Sequence, residues 1–414
     1  MTPAAPVSVG TVAVTVCSNG TGGYEFDAVA AAVRAALDHL GGLARFVHPG
    51  QTVLLKPNLF SARAPDEAVT THPSLVRALV RLCRECGAAR VWIGDSPAGH
   101  HEEEQLWAIT GMAEVAAQES AELKSFTGEI VPTACGPTFL PVPAWFREVD
   151  VFISVPKLKT HLLTTLTCAM KNVFGMVAGQ AKAMCHRRFS SPQAMSSFLV
   201  DVYSALRPHL TVVDAIVALE GQGPANGNPR PLGLVLASAD GVAADMVCAR
   251  LLGLNFTQVP MLRCAVAQRV GATPGELRTV GDGVPVLSRA RLRPSSARYL
   301  QAIPEPLFHW VIRFVSCRPR FDYDICNGCG ICMGTCPQKA IPRDPDSRRP
   351  GKISAGLCIL CMCCVESCPR HAISVRSPLD FWNALRDGLK IGPRKGPGKK
   401  GMGGGEGTCQ GRGR

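Results

Sequence analysis

The sequence lacks an uninterrupted run of 18 apolar residues, which is about the length that a helix needs to span a bilayer. Its first ten residues contain no basic segment followed by an apolar one, so a secretory signal peptide is not indicated. Aromatic residues make up only 6% and charged residues 18% of the 414 residues, whereas hydrophobic residues reach 46%. This composition excludes a mainly disordered chain, and we expect a cytoplasmic protein of two or three domains.

Nucleotide-binding motifs are also missing. Neither GxxxxGK[ST] nor a GxGxxG in a strand-to-helix turn occurs in the sequence. The formal net charge of +12 does not by itself indicate a nucleic-acid partner, because the segment from Arg386 to Arg414 holds eight Lys/Arg against two Asp/Glu. The basic balance is therefore largely a property of the C-terminal tail.

Strand-like and helix-like segments alternate along the first two thirds of the chain. We predict strands over residues 11–17, 52–56, 90–94, 149–155, 210–218 and 232–237, and helices over residues 26–40, 74–86 and 240–252. Alternation at this spacing is typical of an α/β fold with a mostly parallel sheet. The segment 220–231 is rich in Gly, Pro and Asn, so we predict no regular element there.

The pattern divides the chain into four parts. We predict a large α/β domain over residues 1–290, a connector over 291–320, a small α+β domain over 321–376, and a basic, Gly-rich, largely disordered tail over 377–414. The connector contains a helix-like stretch, residues 306–317, that could pack on either domain or lie on a membrane surface.

Cysteine is abundant and clustered, with nine of the 19 cysteines between Cys326 and Cys368. They form two runs of the pattern C-x2-C-x2-C-x3-C-P, and the second run repeats the first at an offset of 32 residues. The first run is Cys326, Cys329, Cys332 and Cys336, and the second is Cys358, Cys361, Cys364 and Cys368. Zinc often takes CxxC pairs, but it needs neither the third closely spaced cysteine nor the Cys-Pro. The pattern therefore favours iron–sulfur clusters.

The two runs resemble bacterial-type ferredoxin domains with two [4Fe-4S] clusters, over about residues 325–375. In that pattern the fourth cysteine of each run binds the cluster of the other run. The resemblance implies one cluster held by Cys326, Cys329, Cys332 and Cys368, and a second held by Cys358, Cys361, Cys364 and Cys336. Cys363 is left over as a packing thiol, with ligand exchange or redox sensing as alternatives. A redox partner protein is also implied.

Five polar motifs in the large domain resemble the family called domain of unknown function 362, over about residues 53–253. They are Lys56-Pro57-Asn58-Leu59, Thr71-His72-Pro73, Gly94-Asp95-Ser96-Pro97, Pro156-Lys157-Leu158-Lys159-Thr160-His161 and Lys171-Asn172-Val173-Phe174-Gly175. The resemblance implies the fold and an accompanying ferredoxin module, but no reaction. The order His161, Lys171, His186 is also similar to that in nickel-pincer lactate racemases, where a lysine tethers the cofactor.

Lysines and a histidine cluster near the predicted strand ends, where open α/β sheets bind ligands. We predict a pocket lined by Lys56, Lys157, His161 and Lys171 that binds a small anionic substrate, with His161 as proton donor. The alternative is that each lysine is a solvated surface group.

Two functions follow from these patterns. The first is an iron–sulfur oxidoreductase that passes electrons to a substrate in the α/β domain. The second is a non-enzymatic electron carrier or assembly factor whose α/β domain binds a partner protein.

Overall fold

The fold is described from a computed structural model that covers residues 8–17, 23–97, 102–179, 181–295, 301, 303–311 and 319–375. The predicted disordered tail, 377–414, and part of the predicted connector helix lie outside these residues.

The strands are β1 Thr11–Val16, β2 Thr52–Pro57, β3 Arg90–Ile93, β4 Glu122–Leu123, β5 Ile130–Cys135, β6 Thr138–Pro143, β7 Val151–Val155, β8 Lys157–His161, β9 Thr165–Thr167, β10 Leu210–Glu220, β11 Asn228–Ser238, β12 Arg278–Val280, β13 Pro319–Phe321 and β14 Ile373–Val375. The helices are α1 Phe26–Asp38, α2 Pro73–Glu85, α3 Glu103–Ile109, α4 Met112–Glu119, α5 Ala169–Val173, α6 Ala181–Arg188, α7 Pro192–Ala205, α8 Gly241–Leu251, α9 Pro260–Ala267, α10 Val284–Arg289, α11 Glu305–Val311, α12 Ile331–Thr335 and α13 Cys363–Glu366.

One large sheet organises the α/β part, in the order β12-β1-β11-β10-β7-β2-β3-β4. The strands from β10 to β4 pair in parallel, as do β1 and β12, whereas β11 is antiparallel to both of its neighbours. Strand β8 continues the chain after β7, pairs in parallel with β10 and turns back into β9. The predicted α/β class with a mostly parallel sheet is confirmed.

Each face of this sheet carries its own apolar core, because successive residues of a strand point to opposite faces. In β2, Leu54 packs into one core, whereas Val53 and Leu55 pack into the other. Burial on both faces explains why the central strands are continuous apolar runs rather than alternating ones.

The prediction that 220–231 contains no regular element is partly wrong. Strand β10 extends to Glu220 and β11 begins at Asn228, and these two residues pair with each other. Pro229 and Pro231 are tolerated because the pairing of β11 with β1 ends at Leu234, so β11 has an edge beyond that point.

The cysteine-rich part repeats its backbone conformation as well as its sequence. Three pairs of residues, each 32 positions apart, have left-handed backbone angles: Gly328 (φ 74°) and Leu360 (φ 55°), Gly330 (φ 78°) and Met362 (φ 66°), and Lys339 (φ 51°) and His371 (φ 56°). Leu360 and Met362 of the second run adopt the same turns that Gly328 and Gly330 form in the first run. A non-glycine residue is strained in this region, so the fold of the module imposes the turns.

The small core of the cysteine-rich part is completed from outside it. Leu162, between β8 and β9, and Phe308 of α11 pack with Ile341, Val365 and Ile373. The connector helix α11 therefore packs on the cysteine-rich part. No helix among the described residues is long and apolar enough to cross a membrane.

Candidate functional site

Two cavities of the cysteine-rich part are each lined by four of the repeated cysteines. Cys326, Cys329, Cys332 and Cys368 line the first. Cys336, Cys358, Cys361 and Cys364 line the second. In each cavity, three thiols come from one run and the fourth from the other run. Four thiols around a cavity suit a [4Fe-4S] cluster, whose irons bind Cys thiolates. The residues present therefore fit such a group at both places.

A third and larger cavity, of about 160 Å³, lies where the α/β part meets the cysteine-rich part. We call it the lysine cavity. Its wall includes Lys56, Asp95, Lys171, Phe174, Lys182 and His186 from the α/β part, and Thr335, Cys363, Glu366 and Ser367 from the cysteine-rich part. Thr335 precedes Cys336, and Cys363 lies between Cys361 and Cys364. The wall thus includes direct chain neighbours of the cysteines that line the second cysteine cavity.

Lys56 enters the lysine cavity from the end of β2 and is held by a buried ion pair. Its Nζ atom lies 2.6 Å from Asp95 Oδ1 and donates to Asn172 Oδ1 at 3.3 Å. Burial lowers the pKa of Lys56, and the charge of Asp95 opposes that shift. A Cβ atom at Gly175 would collide with both members of the pair. Glycine is needed at this position for the pair to form, which gives a physical reason for the end of the Lys171–Gly175 motif.

Lys171 and Lys182 are the other two cations on the wall. Within the described part of the chain, Lys171 forms neither a hydrogen bond nor an ion pair. Lys182 Nζ donates to the backbone oxygens of Ser96 and Pro97. Burial lowers the pKa of Lys182 to about 7, and the nearby charges of Lys56 and Lys171 add to that effect while Asp95 opposes it. The Lys171 ammonium, which has no ion-pair partner in the part of the chain that the structure describes, is therefore available to a negatively charged ligand.

His161 lies behind the cavity wall and faces Glu366. Its Nδ1 atom accepts from the backbone N–H groups of Leu163 and Thr164, at 3.0 and 3.2 Å. Its Nε2 atom lies 3.3 Å from Glu366 Oε1. Burial, with the charge of Lys171, lowers the pKa of His161 to about 4. Near neutral pH the ring is therefore uncharged, with its proton on Nε2.

Lys157 and Lys159 belong to other polar networks. Lys157 Nζ contacts the Tyr24 hydroxyl at 2.6 Å and Asp214 Oδ2 at 3.0 Å, and it does not line the lysine cavity. Lys159 Nζ donates to Asn58 Oδ1 and to the Val69 carbonyl. Burial lowers the pKa of both lysines. Of the four residues predicted as catalytic, Lys56 and Lys171 line the cavity, His161 contacts it through Glu366, and Lys157 lies elsewhere.

Sequence reasoning did not identify Lys182 and Glu366 as site residues. Lys182 lies on α6, in a segment without a recognisable strand end or motif. Glu366 lies inside the second cysteine run, where the spacing of the cysteines is the only visible signal. His186 was singled out through the order His161, Lys171, His186, and it does line the cavity.

Comparisons with known proteins agree with both parts of the chain. The domain of unknown function 362 matches residues 53–250, and the 4Fe-4S dicluster domain matches residues 325–372. A thylakoid-associated protein of Synechocystis sp. is 34% identical over 259 residues, which cover 61% of this chain and 78% of that protein.

A solved structure is also similar, although weakly. The lactate racemase apoprotein from Thermoanaerobacterium thermosaccharolyticum aligns with 54% of this chain at 13% identity and a TM-score of 0.39. The chain spans about half of that racemase, 55% of its length. The match to the Synechocystis protein, together with the two domain matches, shows that the chain belongs to the family of the domain of unknown function 362 and is an iron–sulfur protein of electron transfer.

Proposed function

We propose that the protein is an oxidoreductase in which two [4Fe-4S] clusters pass electrons to a small anionic substrate bound in the lysine cavity. One observation carries the proposal: the same cavity wall contains the lysines of the α/β part and the chain neighbours of the cluster cysteines. A carrier without a substrate needs no cavity of this kind beside its cysteines.

The clusters would each supply one electron at a time, received from a redox partner protein. Two electrons, one from each cluster, and two protons, one from Lys182 and one from bulk water, would then convert the substrate to its reduced form. The first cluster is assigned to Cys326, Cys329, Cys332 and Cys368, and the second to Cys336, Cys358, Cys361 and Cys364. The second set is linked more directly to the lysine cavity, because Thr335 and Cys363, which adjoin Cys336 and Cys364 in the sequence, form part of its wall.

The protein residues bind the substrate and supply one of the two protons. Lys171 attracts the anionic group, and Lys56 is fixed by Asp95 so that its charge is already in place. The expected proton donor His161 is replaced by Lys182 in this scheme. A pKa of about 7 lets Lys182 give up a proton near neutrality, whereas a ring with a pKa of about 4 is already neutral there.

The experiment begins with anaerobic reconstitution of the full chain, for which we expect about eight iron and eight sulfide per chain. The reduced protein is then mixed with a panel of two-electron acceptors that carry a carboxylate or phosphate, and reoxidation is followed by visible absorbance. We expect a subset of the panel to reoxidise the protein, and Lys171→Met to slow this reaction at least tenfold with an unchanged cluster spectrum.

Lys352→Met provides the matched control, because it removes the same charge from an exposed position of the cysteine-rich part. It should leave the reaction rate with each acceptor unchanged. If no acceptor reacts, and no anion binds more weakly to Lys171→Met than to the parent chain, the oxidoreductase proposal fails and the electron-carrier function is favoured.

A further inference from the structure

Glu366 is a buried carboxylate on the wall of the lysine cavity, and none of the described residues makes a well-formed hydrogen bond to it. It exposes 7% of its surface, and its Oε1 atom receives no hydrogen bond from the described residues. The His161 Nε2 atom faces this oxygen at 3.3 Å, and it too lacks a well-formed hydrogen bond. A buried carboxylate whose only facing donor among the described residues is poorly placed is costly, so a ligand that supplies a further donor would bind favourably.

The alternative of a metal ion between His161 and Glu366 does not fit the histidine. A metal would need the lone pair of Nε2, and the ring proton would then have to lie on Nδ1. That atom instead accepts two backbone N–H groups. The ring therefore presents an N–H to Glu366 and serves to position the carboxylate.

A positive charge, that of Lys171, lies on the same wall of the lysine cavity as Glu366. Lys171 forms no ion pair with any described residue, whereas Lys56 is already paired with Asp95. A cavity whose described wall offers an unpaired cation, Lys171, and an acceptor, Glu366, is complementary to a ligand with both an anionic group and a donor. The volume of about 160 Å³ suits a ligand of on the order of ten non-hydrogen atoms.

We propose that the substrate is bipolar: its anionic group binds Lys171, and a hydroxyl or N–H group of the same molecule donates to Glu366. This inference rests on the proposed function and narrows its substrate class. It also makes the electron-transfer module a direct contributor to specificity, because Glu366 belongs to α13, the helix that carries Cys363 and Cys364.

The test uses the cluster-loaded full chain and three series of straight-chain monocarboxylates of three to six carbons: unsubstituted, ω-hydroxy and ω-amino. Calorimetry gives the dissociation constant of each probe. We expect the best-fitting hydroxy or amino acid to bind at least tenfold more tightly than the unsubstituted acid of equal length. Glu366→Gln should reduce that preference to less than threefold, most clearly for the ammonium probes.

Lys171→Met separates this inference from the proposed function, since it should weaken all three series by a similar factor. If Lys171→Met changes no affinity, the proposed anionic site is wrong. If Lys171→Met weakens all series but the parent chain shows no preference for a donor, or Glu366→Gln keeps the preference, the bipolar substrate alone is wrong.

A second measurement covers the case in which Glu366→Gln loses its clusters. In the reduced, paramagnetic parent protein, nuclear relaxation of the bound probe should be faster for the protons at the donor end than for those beside the carboxylate. This order is expected because Glu366 lies between Cys364 and Cys368 in the chain. The reverse order would overturn the proposed orientation and the inference with it.

Discussion

Gly175 packs against the buried Lys56–Asp95 ion pair so closely that any side chain there would displace it. We expect Gly175→Ala to lower the free energy of unfolding by about 1–3 kcal/mol, because the charged pair must shift inside a packed site. Denaturant titration measures the change. Gly275→Ala is the matched control, since a Cβ atom at Gly275 has no neighbour within 4 Å and should cost little. Equal stability of the two variants would contradict the close packing at Gly175.

Because of Lys182, we predict that anion binding in the lysine cavity depends on pH. With a pKa of about 7, its ammonium is present below that pH and is lost above it, so anion binding should weaken as the pH rises from 6 to 8. The charged groups that act on it are Lys56, Asp95, Lys171 and Glu366. Loss of one charge-assisted hydrogen bond is worth about tenfold in affinity.

The measurement is the dissociation constant of a monocarboxylate across that pH range, where the ligand itself does not titrate. Lys182→Met should bind the same ligand weakly and with little dependence on pH. An unchanged pH profile in Lys182→Met would assign the titration to another group.

The residues of the site could be predicted only where the sequence marks a strand end or contains a recognisable motif. Lys56 lies at the end of a clear apolar strand, and Lys171 begins a recognisable motif, so the sequence predicts both. Lys157 was expected beside them, but its ammonium turns to Tyr24 and Asp214. The direction of the Lys157 side chain depends on neighbours in space that lie more than 50 residues away in the sequence. Glu366 was missed because its contact with His161 exists only after the two parts of the chain pack together.

At the scale of elements, strand and helix positions followed from apolar periodicity and from turn residues. The predicted helix over 240–252 forms as α8, with the Asp240 side chain capping the N–H groups of Val242 and Ala243. The start of β11 was mispredicted because Pro and Asn usually indicate a loop, whereas Asn228, Pro229 and Pro231 lie where β11 forms an edge of the sheet. Local signals cannot show which side of a strand stays unpaired.

Each cysteine cavity takes three cysteines from one run and the fourth from the other, and this crossed arrangement can be tested by mutation. Cys336 belongs to the first run, but it lines the cavity of Cys358, Cys361 and Cys364. We expect Cys336→Ala to damage the cluster held by the second run and to spare the other. Iron analysis together with EPR of the reduced protein distinguishes the two clusters. Cys363→Ala is the control, because Cys363 lines the lysine cavity instead and should not be needed for either cluster. Loss of only the first-run cluster in Cys336→Ala would show that the runs are not crossed.

At the scale of the whole molecule, the cysteine-rich part depends on the α/β part for its core. Leu162 comes from the turn between β8 and β9, and it is buried among residues such as Leu360 and Val365. The hairpin that carries His161 towards Glu366 thus also anchors the module that holds the cysteines. In the proposed function, substrate binding and electron delivery would both depend on this packed contact between the two parts.

Leu162→Ala in the full chain tests whether the packing of Leu162 against the cysteine-rich part holds that part in place. Truncating a buried leucine costs about 2–5 kcal/mol, and here the loss falls on the small core around the cysteines. We expect iron to be released to a chelator severalfold faster under conditions where the α/β part remains folded by circular dichroism. Leu166→Ala in β9 is the matched control, because Leu166 is equally buried but packs into the core of the large sheet. It should lower the overall stability without a selective loss of iron. If the two variants release iron at the same rate, the cysteine-rich part does not depend on Leu162, and this packing is not what holds it in place.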